Sequence, residues 1–257
     1  MKTSKLLLIL ALIVSVLPGI ALAQTKVIKY AHFQPAKLDQ PKQAAALAFK
    51  NYVEAASKGS LKVEVYPASQ LGNDSATMEG LKMGTIEMAV VHDGPISAVY
   101  KPFMVYAIPY LFDDQVMAWT VVDGPFGKEM ADDMTKKTGI RLFALADNGI
   151  RHFTNSKRPI KSPDDMKGLK MRVMTGPIWT KLVEPLGASP SPVPWTELPA
   201  ALQQGVVDGQ ENGVTNILAA SLYQNQKYIT LDGHVYSWHA YMMNDRFYNS
   251  LTPEQQK

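Results

Sequence analysis

Cysteine is missing from all 257 residues. That excludes disulfides, thiolate metal sites and a lipid carried on a processed N-terminal thiol. The short signatures of familiar catalysis are missing too: there is no G-x-S-x-G, no H-E-x-x-H, no P-loop and no dinucleotide glycine pattern. The five histidines, at 32, 92, 152, 234 and 239, never fall at the four-residue spacing that puts two ligands on one helical face. No low-complexity tract, glycine/serine linker or internal repeat divides the chain. After residue 23 there is no apolar run long enough for a membrane span.

What is present begins with Lys2 and Lys5, followed by L-L-L-I-L-A-L-I-V-S-V-L and the small-x-small site Ala21-Leu22-Ala23. This is the three-part layout of a cleavable secretory signal over residues 1–23; the alternative is an uncleaved N-terminal anchor. Export with no cysteine makes the bacterial periplasm the expected compartment, and stability must come from the core. Setting the two lysines aside leaves 24 basic against 23 acidic side chains. That balance gives no reason to expect nucleic acid or an anionic membrane as partner. With 46% apolar and 19% charged residues, the chain has the composition of a globular protein of one large or two smaller domains.

Along the mature chain, K-V-I-K-Y-A-H-F has the length and content of a strand. In the alanine-rich run that follows, Ala45, Phe49, Tyr52, Val53 and Ala56 recur at helical steps, and Lys58-Gly59 ends it. L-K-V-E-V-Y-P alternates as a half-buried strand, Asn73-Asp74-Ser75 offers a helix cap, and E-M-A-V-V-H-D reads as a short buried strand. Strand, helix, strand, helix, strand predicts an α/β fold with a parallel-rich sheet, whose ligands bind beyond the carboxyl ends of the strands. His32, Gln34, His92 and Asp93 lie at or just after such ends. R-L-F-A-L-A-D-N-G-I-R-H-F-T-N is one extended region interrupted at Asp147-Asn148-Gly149, which predicts two lobes joined by strands. A capped turn at Ser162-Pro163, a strand around Met171–Val173, a helix closed by Gly187, the extended S-P-S-P-V-P and a helix stopped by Gly205 complete the pattern.

Four features could carry chemistry. The adjacent acid pairs Asp113-Asp114, Asp132-Asp133 and Asp164-Asp165 read as turn-solvating groups, although paired hydrolytic carboxylates stay open as an alternative. Arg151 and Arg172 sit among strand-forming neighbours, where a guanidinium needs a partner: either a bound carboxylate held by two parallel hydrogen bonds, or an internal acid such as Asp147. Trp195, at the start of a helix after a proline-rich strand, is either core or a cleft wall. The run V-V-D-G-Q-E-N-G at 206–213 has more polar residues than a turn needs.

G-I-R-H-F-T-N, D-D-M-K-G-L-K-M-R-V, P-W-T-E-L-P-A-A-L-Q-Q-G-V-V-D-G-Q-E-N and Y-P-A-S-Q-L-G-N-D, in this order and spacing, resemble the extracytoplasmic solute-binding proteins of TRAP transporters, in particular the dicarboxylate-binding (DctP-type) branch. The likeness runs from about Lys26 to the end. It implies a two-lobed periplasmic-binding-protein-like α/β fold with an interlobe cleft and a strand hinge, lobe I being 24–148 with 238–257 and lobe II 149–237. It implies a non-enzymatic monomer that captures a small organic acid and hands it to the sodium-driven membrane permease, with no cofactor, metal or nucleic acid. A subunit presenting its ligand to a membrane kinase, or an exported carboxylate-based hydrolase or lyase, are the alternatives.

By the resemblance, Arg172 clamps the ligand carboxylate, Arg151 is a second pocket arginine, Asn212 is a ligand-facing amide and Trp195 an aromatic wall. Asp74 and His92 match cleft-facing positions, with Gln34 near another; Asp93 and Gln34 join His92 and Trp195 in selecting among ligands. Val206-Val207 is then expected as a buried strand whose end carries the polar run into the cleft, with Asp208 and Glu211 tying backbone or arginine groups in place. Gly213 stands where the family commonly has proline. L-T-P-E-Q-Q-K reads as a first helical turn, beyond which the resemblance implies further lobe-bracing helices.

Overall fold

A computed structural model describes residues 25–257; the expected export signal at 1–23 lies outside them. The first five elements follow the expected alternation: β1 (Lys26–Ala31), α1 (Pro41–Ala56), β2 (Leu61–Tyr66), α2 (Asp74–Met83) and β3 (Met88–His92). Pro41 opens α1, where its missing N–H costs nothing. Asn73 caps α2 by accepting from the Ala76 N–H at 3.1 Å, and Gly84, at φ 82°, ends it in the left-handed conformation. Three helices follow, α3 (Asp93–Val99), α4 (Gln115–Val122) and α5 (Pro125–Thr138), before the chain enters β4 (Ile140–Asn155). Next come β5 (Lys170–Val173), α6 (Pro177–Val183), β6 (Ser189–Pro192), α7 (Leu198–Gln203), β7 (Gly209–Gly213), α8 (Val214–Ala219), β8 (Tyr228–Asn244) and α9 (Asp245–Ser250).

These strands form one eight-stranded sheet in the order β2-β1-β3-β8-β4-β7-β5-β6. The expected parallel pairing holds on the flanks, where β1 pairs with β2 and β3, and β5 with β6 and β7. The middle differs: β8 is antiparallel to β3 and β4, and β4 is antiparallel to β7. The cause is the length of β4 and β8, 16 and 17 residues, which cross from one flank to the other and back along each other. Their register shifts between Asp147 and Gly149, where Gly149 takes φ 94°, a conformation that a side chain disfavours.

Each flank has its own cores, which makes the fold two-lobed. Alternate residues of β3 point to opposite faces: Ala89 and Val91 pack with Phe103, Tyr106 and Trp238, whereas Met88 and Val90 pack with Ile28, Tyr30 and Val63. On the other flank Met171 and Val173 pack with Phe153, Met166 and Trp179, while Leu198, Leu202, Val207 and Ile217 form a smaller cluster. Among the described residues no helix is long and apolar enough to cross a membrane.

One expectation is overturned. Val206-Val207 is not a strand: the pair lies in a turn, with Val206 55% exposed. The polar run itself is the strand, since β7 is Gly209–Gly213 and all five of its residues are buried. It sits between β4 and β5 in the sheet interior, and Gly209 is required there. A Cβ at that position would fall 2.2 Å from the Thr154 carbonyl oxygen. A buried polar strand is tolerable only if its side chains find partners, and the site shows where they are.

Candidate functional site

A small cavity lies where the two flanks meet. Phe33, Lys42 and His92 reach it from the β1–β3 side; Asn148, Arg151 and His239 from the long central strands; Arg172, Met174, Trp195, Asn212 and Asn216 from the β5–β7 side.

Arg172 is 1% exposed on β5. Its Nε donates to the Val193 carbonyl at 2.8 Å, which fixes the plane of the guanidinium. Nη1 and Nη2 are shut off from solvent and have no acceptor among the described residues. Burial pushes its pKa down to about 10, with Glu211 and Asp74 opposing that drop and Arg151 adding to it. It remains a cation at neutral pH, holding two parallel N–H groups ready for an acceptor.

Arg151, on β4, is fully buried but committed. Its Nε and Nη2 donate to the Glu211 carboxylate at 2.5 and 2.9 Å, and Nη2 also reaches the Glu211 carbonyl at 2.7 Å. The internal acid suggested by the sequence, Asp147, is therefore not the partner. Register explains it: Arg151 pairs with Gly213, so Glu211 is its diagonal neighbour across the β4–β7 ladder. Burial alone would raise the pKa of Glu211, but Arg151 and His234 outweigh it and hold it at about 2. His234 bonds Glu211 at 3.4 Å and Asp232 at 2.8 Å, and stacks on Phe153 with ring centres 4.2 Å apart. Glu211 thus does what the sequence reading assigned to it, tying an arginine in place. Asp208 accepts from the Lys170 N–H at 2.9 Å.

The amides of β7 satisfy one another in a chain. Gln210 donates to Thr154 at 2.8 Å, Asn212 to Gln210 at 3.1 Å, and Asn216 to Asn212 at 3.1 Å and to Asn148 at 2.7 Å. Asn148 in turn donates to Ser237 on β8 at 2.8 Å. Asn212 keeps one amide hydrogen beyond this chain, and it lines the cavity. Gly213 adopts φ −66° and ψ 146°, dihedrals that proline also takes, but a Cβ there would fall 2.8 Å from the Asn148 carbonyl oxygen, so this packing favours glycine.

Across the cavity, His92 Nε2 lies 3.2 Å from Asp74 Oδ2. Burial would raise Asp74, but His92, Arg172 and the Trp195 backbone together lower its pKa below the usual carboxylate range. Lys42 is brought down to about 7, chiefly by burial. His239 is held well below its ordinary pKa by burial, and so stays neutral.

Of the eight residues singled out in the sequence, Arg172, Arg151, Asn212, Trp195 and His92 line the cavity. Asp74 stands against His92, one layer behind the lining. Gln34 is not on the cavity wall: its Oε1 accepts from the Lys42 N–H at 2.9 Å and steadies the start of α1. Nor is Asp93, whose Oδ2 accepts from the Trp238 N–H at 3.4 Å beside the central strands. Phe33, Lys42, Asn148, Met174, Asn216 and His239 were missed. Asn148 lay in the noted break in β4 and Asn216 one helical turn past Asn212; nothing in the sequence pointed to Lys42 or Met174. Among the described residues no cluster of three or more His, Cys, Asp or Glu could hold a metal ion.

Known proteins resemble this chain over most of its length. A solute-binding protein of Verminephrobacter eiseniae is 38% identical over 209 residues, 81% of this chain, which spans 62% of that relative's length. The C4-dicarboxylate-binding periplasmic protein of Rhodobacter capsulatus is 34% identical over 90% of this chain and 68% of its own. Among solved structures, the sugar acid binding protein of Advenella mimigardefordensis in complex with galactonate superposes with a TM-score of 0.85 at 33% identity, covering 91% of this chain and 74% of that one. Residues 31–257 match the family model for bacterial extracellular solute-binding proteins, family 7 (DctP), and the chain belongs to that family.

Proposed function

We propose that the protein is exported to the periplasm, where it captures a small organic acid by its carboxylate and delivers it to a TRAP-type sodium-driven permease. The observation that carries this reading is Arg172, a buried guanidinium with two unpartnered nitrogens facing a cavity. Desolvating a charge and leaving it unpaired is unfavourable by several kcal/mol, so such a group is retained for an anion that arrives from outside. A carboxylate suits it, because two oxygens match two parallel N–H donors. Asn212 adds a hydrogen bond, and Trp195 covers the ligand's apolar flank.

Lobe I, residues 24–148 and 238–257, and lobe II, 149–237, close on the acid by bending at the β4 and β8 crossing. The irregularity at Asp147–Gly149 supplies the compliant point. Closure removes water, which strengthens each polar contact to the anion. No step of covalent chemistry is needed, and the tied-down state of Glu211 and Asp74 leaves neither free to act as a base.

The test is mass spectrometry of what co-purifies with the mature protein, followed by calorimetry with that compound. The expected result is a stoichiometric carboxylic acid whose binding is lost in Arg172→Ala. A neutral ligand, or an acid that binds Arg172→Ala unchanged, sinks the reading.

A further inference from the structure

Two glycines meet where the flanks of the sheet come together. Gly94 is the second residue of α3, two residues past His92 at the end of β3. Gly176 lies three residues past Val173, the end of β5, and directly before α6. A Cβ at Gly94 would fall 2.6 Å from the Thr175 carbonyl oxygen and 2.9 Å from the Met174 Cβ. A Cβ at Gly176 would fall 2.6 Å from the Gly94 carbonyl oxygen and 2.7 Å from Ser97 Oγ. The fit is reciprocal: each glycine faces backbone of the other flank, and neither leaves room for a side chain. Gly176, at φ 124°, is also required by its own backbone. Gly94 sits in a helix, where alanine is the better residue, so only the facing flank asks for glycine there.

The contact is close without being adhesive. Among the described residues no backbone hydrogen bond joins 92–97 to 174–179, and the Ser97 hydroxyl turns back to the Gly94 carbonyl of its own helix. The Thr175 hydroxyl and the Trp179 indole N–H, the latter 3.3 Å from the Gly94 Cβ position, are buried there without partners. Keeping such groups dry is unfavourable, and parting the flanks would give both to water. The two sides also belong to different cores, Ile96 to one and Met174 and Trp179 to another. Closing this junction therefore needs free energy from elsewhere. The same short segments carry opposite walls of the cavity: His92 stands just before Gly94, and Arg172 and Met174 just before Gly176. The gap between the glycines thus sets the gap between the walls.

We infer that the Gly94–Gly176 contact is the closure stop of the cleft: bare backbone on both sides lets the flanks approach until the His92 wall and the Arg172 wall grip one molecule at once. The inference rests on the proposed function, in which the lobes close on an acid held by Arg172. That acid supplies the free energy of closure, and the glycines set where closure ends. Gly94 is then a positioning residue, acting on the ligand without touching it. With a side chain at 94, the flanks must part by about 1 Å to reach ordinary van der Waals distance. A molecule bonded to Arg172 then loses its hydrogen bonds to the far wall, because such bonds weaken steeply beyond about 3.2 Å. Opening relieves the clash, so the ligand-free protein does not suffer from the substitution.

Spin-label distance measurement and calorimetry on the mature protein test this. Since the chain has no native cysteine, labels at Lys82→Cys on α2 and Lys167→Cys before β5, both exposed, report on the two flanks alone. The probes are galactonate, D-glucuronate and succinate, each bound in a structurally similar protein. In the wild type, an acid that binds is expected to shorten the distance between the labels. Gly94→Ala, saturated with the same acid, should stop at a longer distance and bind about tenfold more weakly, the loss appearing in the dissociation rate. Its ligand-free form should melt no lower than the wild type. Equal shortening with equal affinity overturns the inference. So does weaker binding at the wild-type distance, which would make Gly94 a packing residue. So does a ligand-free Gly94→Ala that melts lower or fails to fold, which would make the contact permanent. If the wild type binds none of the acids, the carboxylate reading falls and the closure stop with it. If the wild type binds and closes and Gly94→Ala matches it, only the closure stop falls.

Discussion

The surroundings of Arg151 and Arg172 make an instructive pair. Both are arginines in strands of the one sheet, both are essentially excluded from water, and both line the same cavity. Around Arg151 every direction is filled: Glu211 takes two of its nitrogens, Ser237 lies 3.4 Å from the third, and the Trp179 ring sits beneath the guanidinium at 5.0 Å. Around Arg172 a single carbonyl holds Nε, and the outer nitrogens, shut off from solvent, have no acceptor among the described residues. Arg151 is thus part of the architecture, which positions the wall of the cavity, while Arg172 has no internal acid and is, in the proposed function, left for what enters. The lesson is that residue type and burial do not define a binding arginine; the absence of an internal counterion does.

The largest expected effect comes from breaking the filled side. Glu211→Gln should cost about 3–5 kcal/mol of stability in urea unfolding, because it leaves the Arg151 charge buried and unpaired. Arg172→Met, by contrast, should leave the ligand-free protein as stable or more so, since it removes a charge that was never paired. Equal losses in the two variants would erase the contrast. The next effect belongs to the open side: ligand at about a hundred times its dissociation constant should add about 2.7 kcal/mol to the wild type and nothing to Arg172→Met. Glu211→Gln, if it remains folded, should retain part of that gain.

Acid sharpens the comparison further. The folded pKa of Glu211, about 2, lies below its ordinary 4.5. Its contribution is therefore present above about 4.5 and lost as pH falls from there towards 2. Acid unfolding of Glu211→Gln should lack this component, and that of Arg172→Met should keep it. Lys42 supplies a titration on the ligand side. An anion bound beside it raises its pKa from about 7, so binding takes up a fraction of a proton near neutrality and weakens as pH rises. Calorimetry in buffers of different ionisation enthalpy reads this uptake, and Lys42→Met should abolish it. The smallest effect is expected from Asn216→Ala, about 1 kcal/mol from its broken amide bonds to Asn148 and Asn212.

Much of the fold could be read along the chain. The Asn73 cap, the glycine stops at 187 and 205, and the Asp147-Asn148-Gly149 break fall where local geometry put them. Short-range physics decides such features: an N-cap oxygen or a positive φ needs only its neighbours. The reading failed at 206–213, where apolar content favoured Val206-Val207 as the strand and the polar run as its end. The sheet chose the reverse, because β4 and β5 supply backbone partners to Gly209–Gly213 and the amides of Gln210, Asn212 and Asn216 satisfy one another. Gln34 and Asp93 were placed on the cavity by their position after strands, yet their side chains turn to the backbone of α1 and β8 instead.

The sequence alone determined that this is an α/β protein of two strand-linked lobes without a thiol or a familiar catalytic motif, and that two of its arginines would sit in strands needing partners. Which arginine finds its partner inside the molecule was decided only in three dimensions. Glu211 lies 60 residues from Arg151, and only the register of β4 against β7 brings them into contact. Ion pairing depends on distance and burial in the folded state, and the order of residues encodes neither directly.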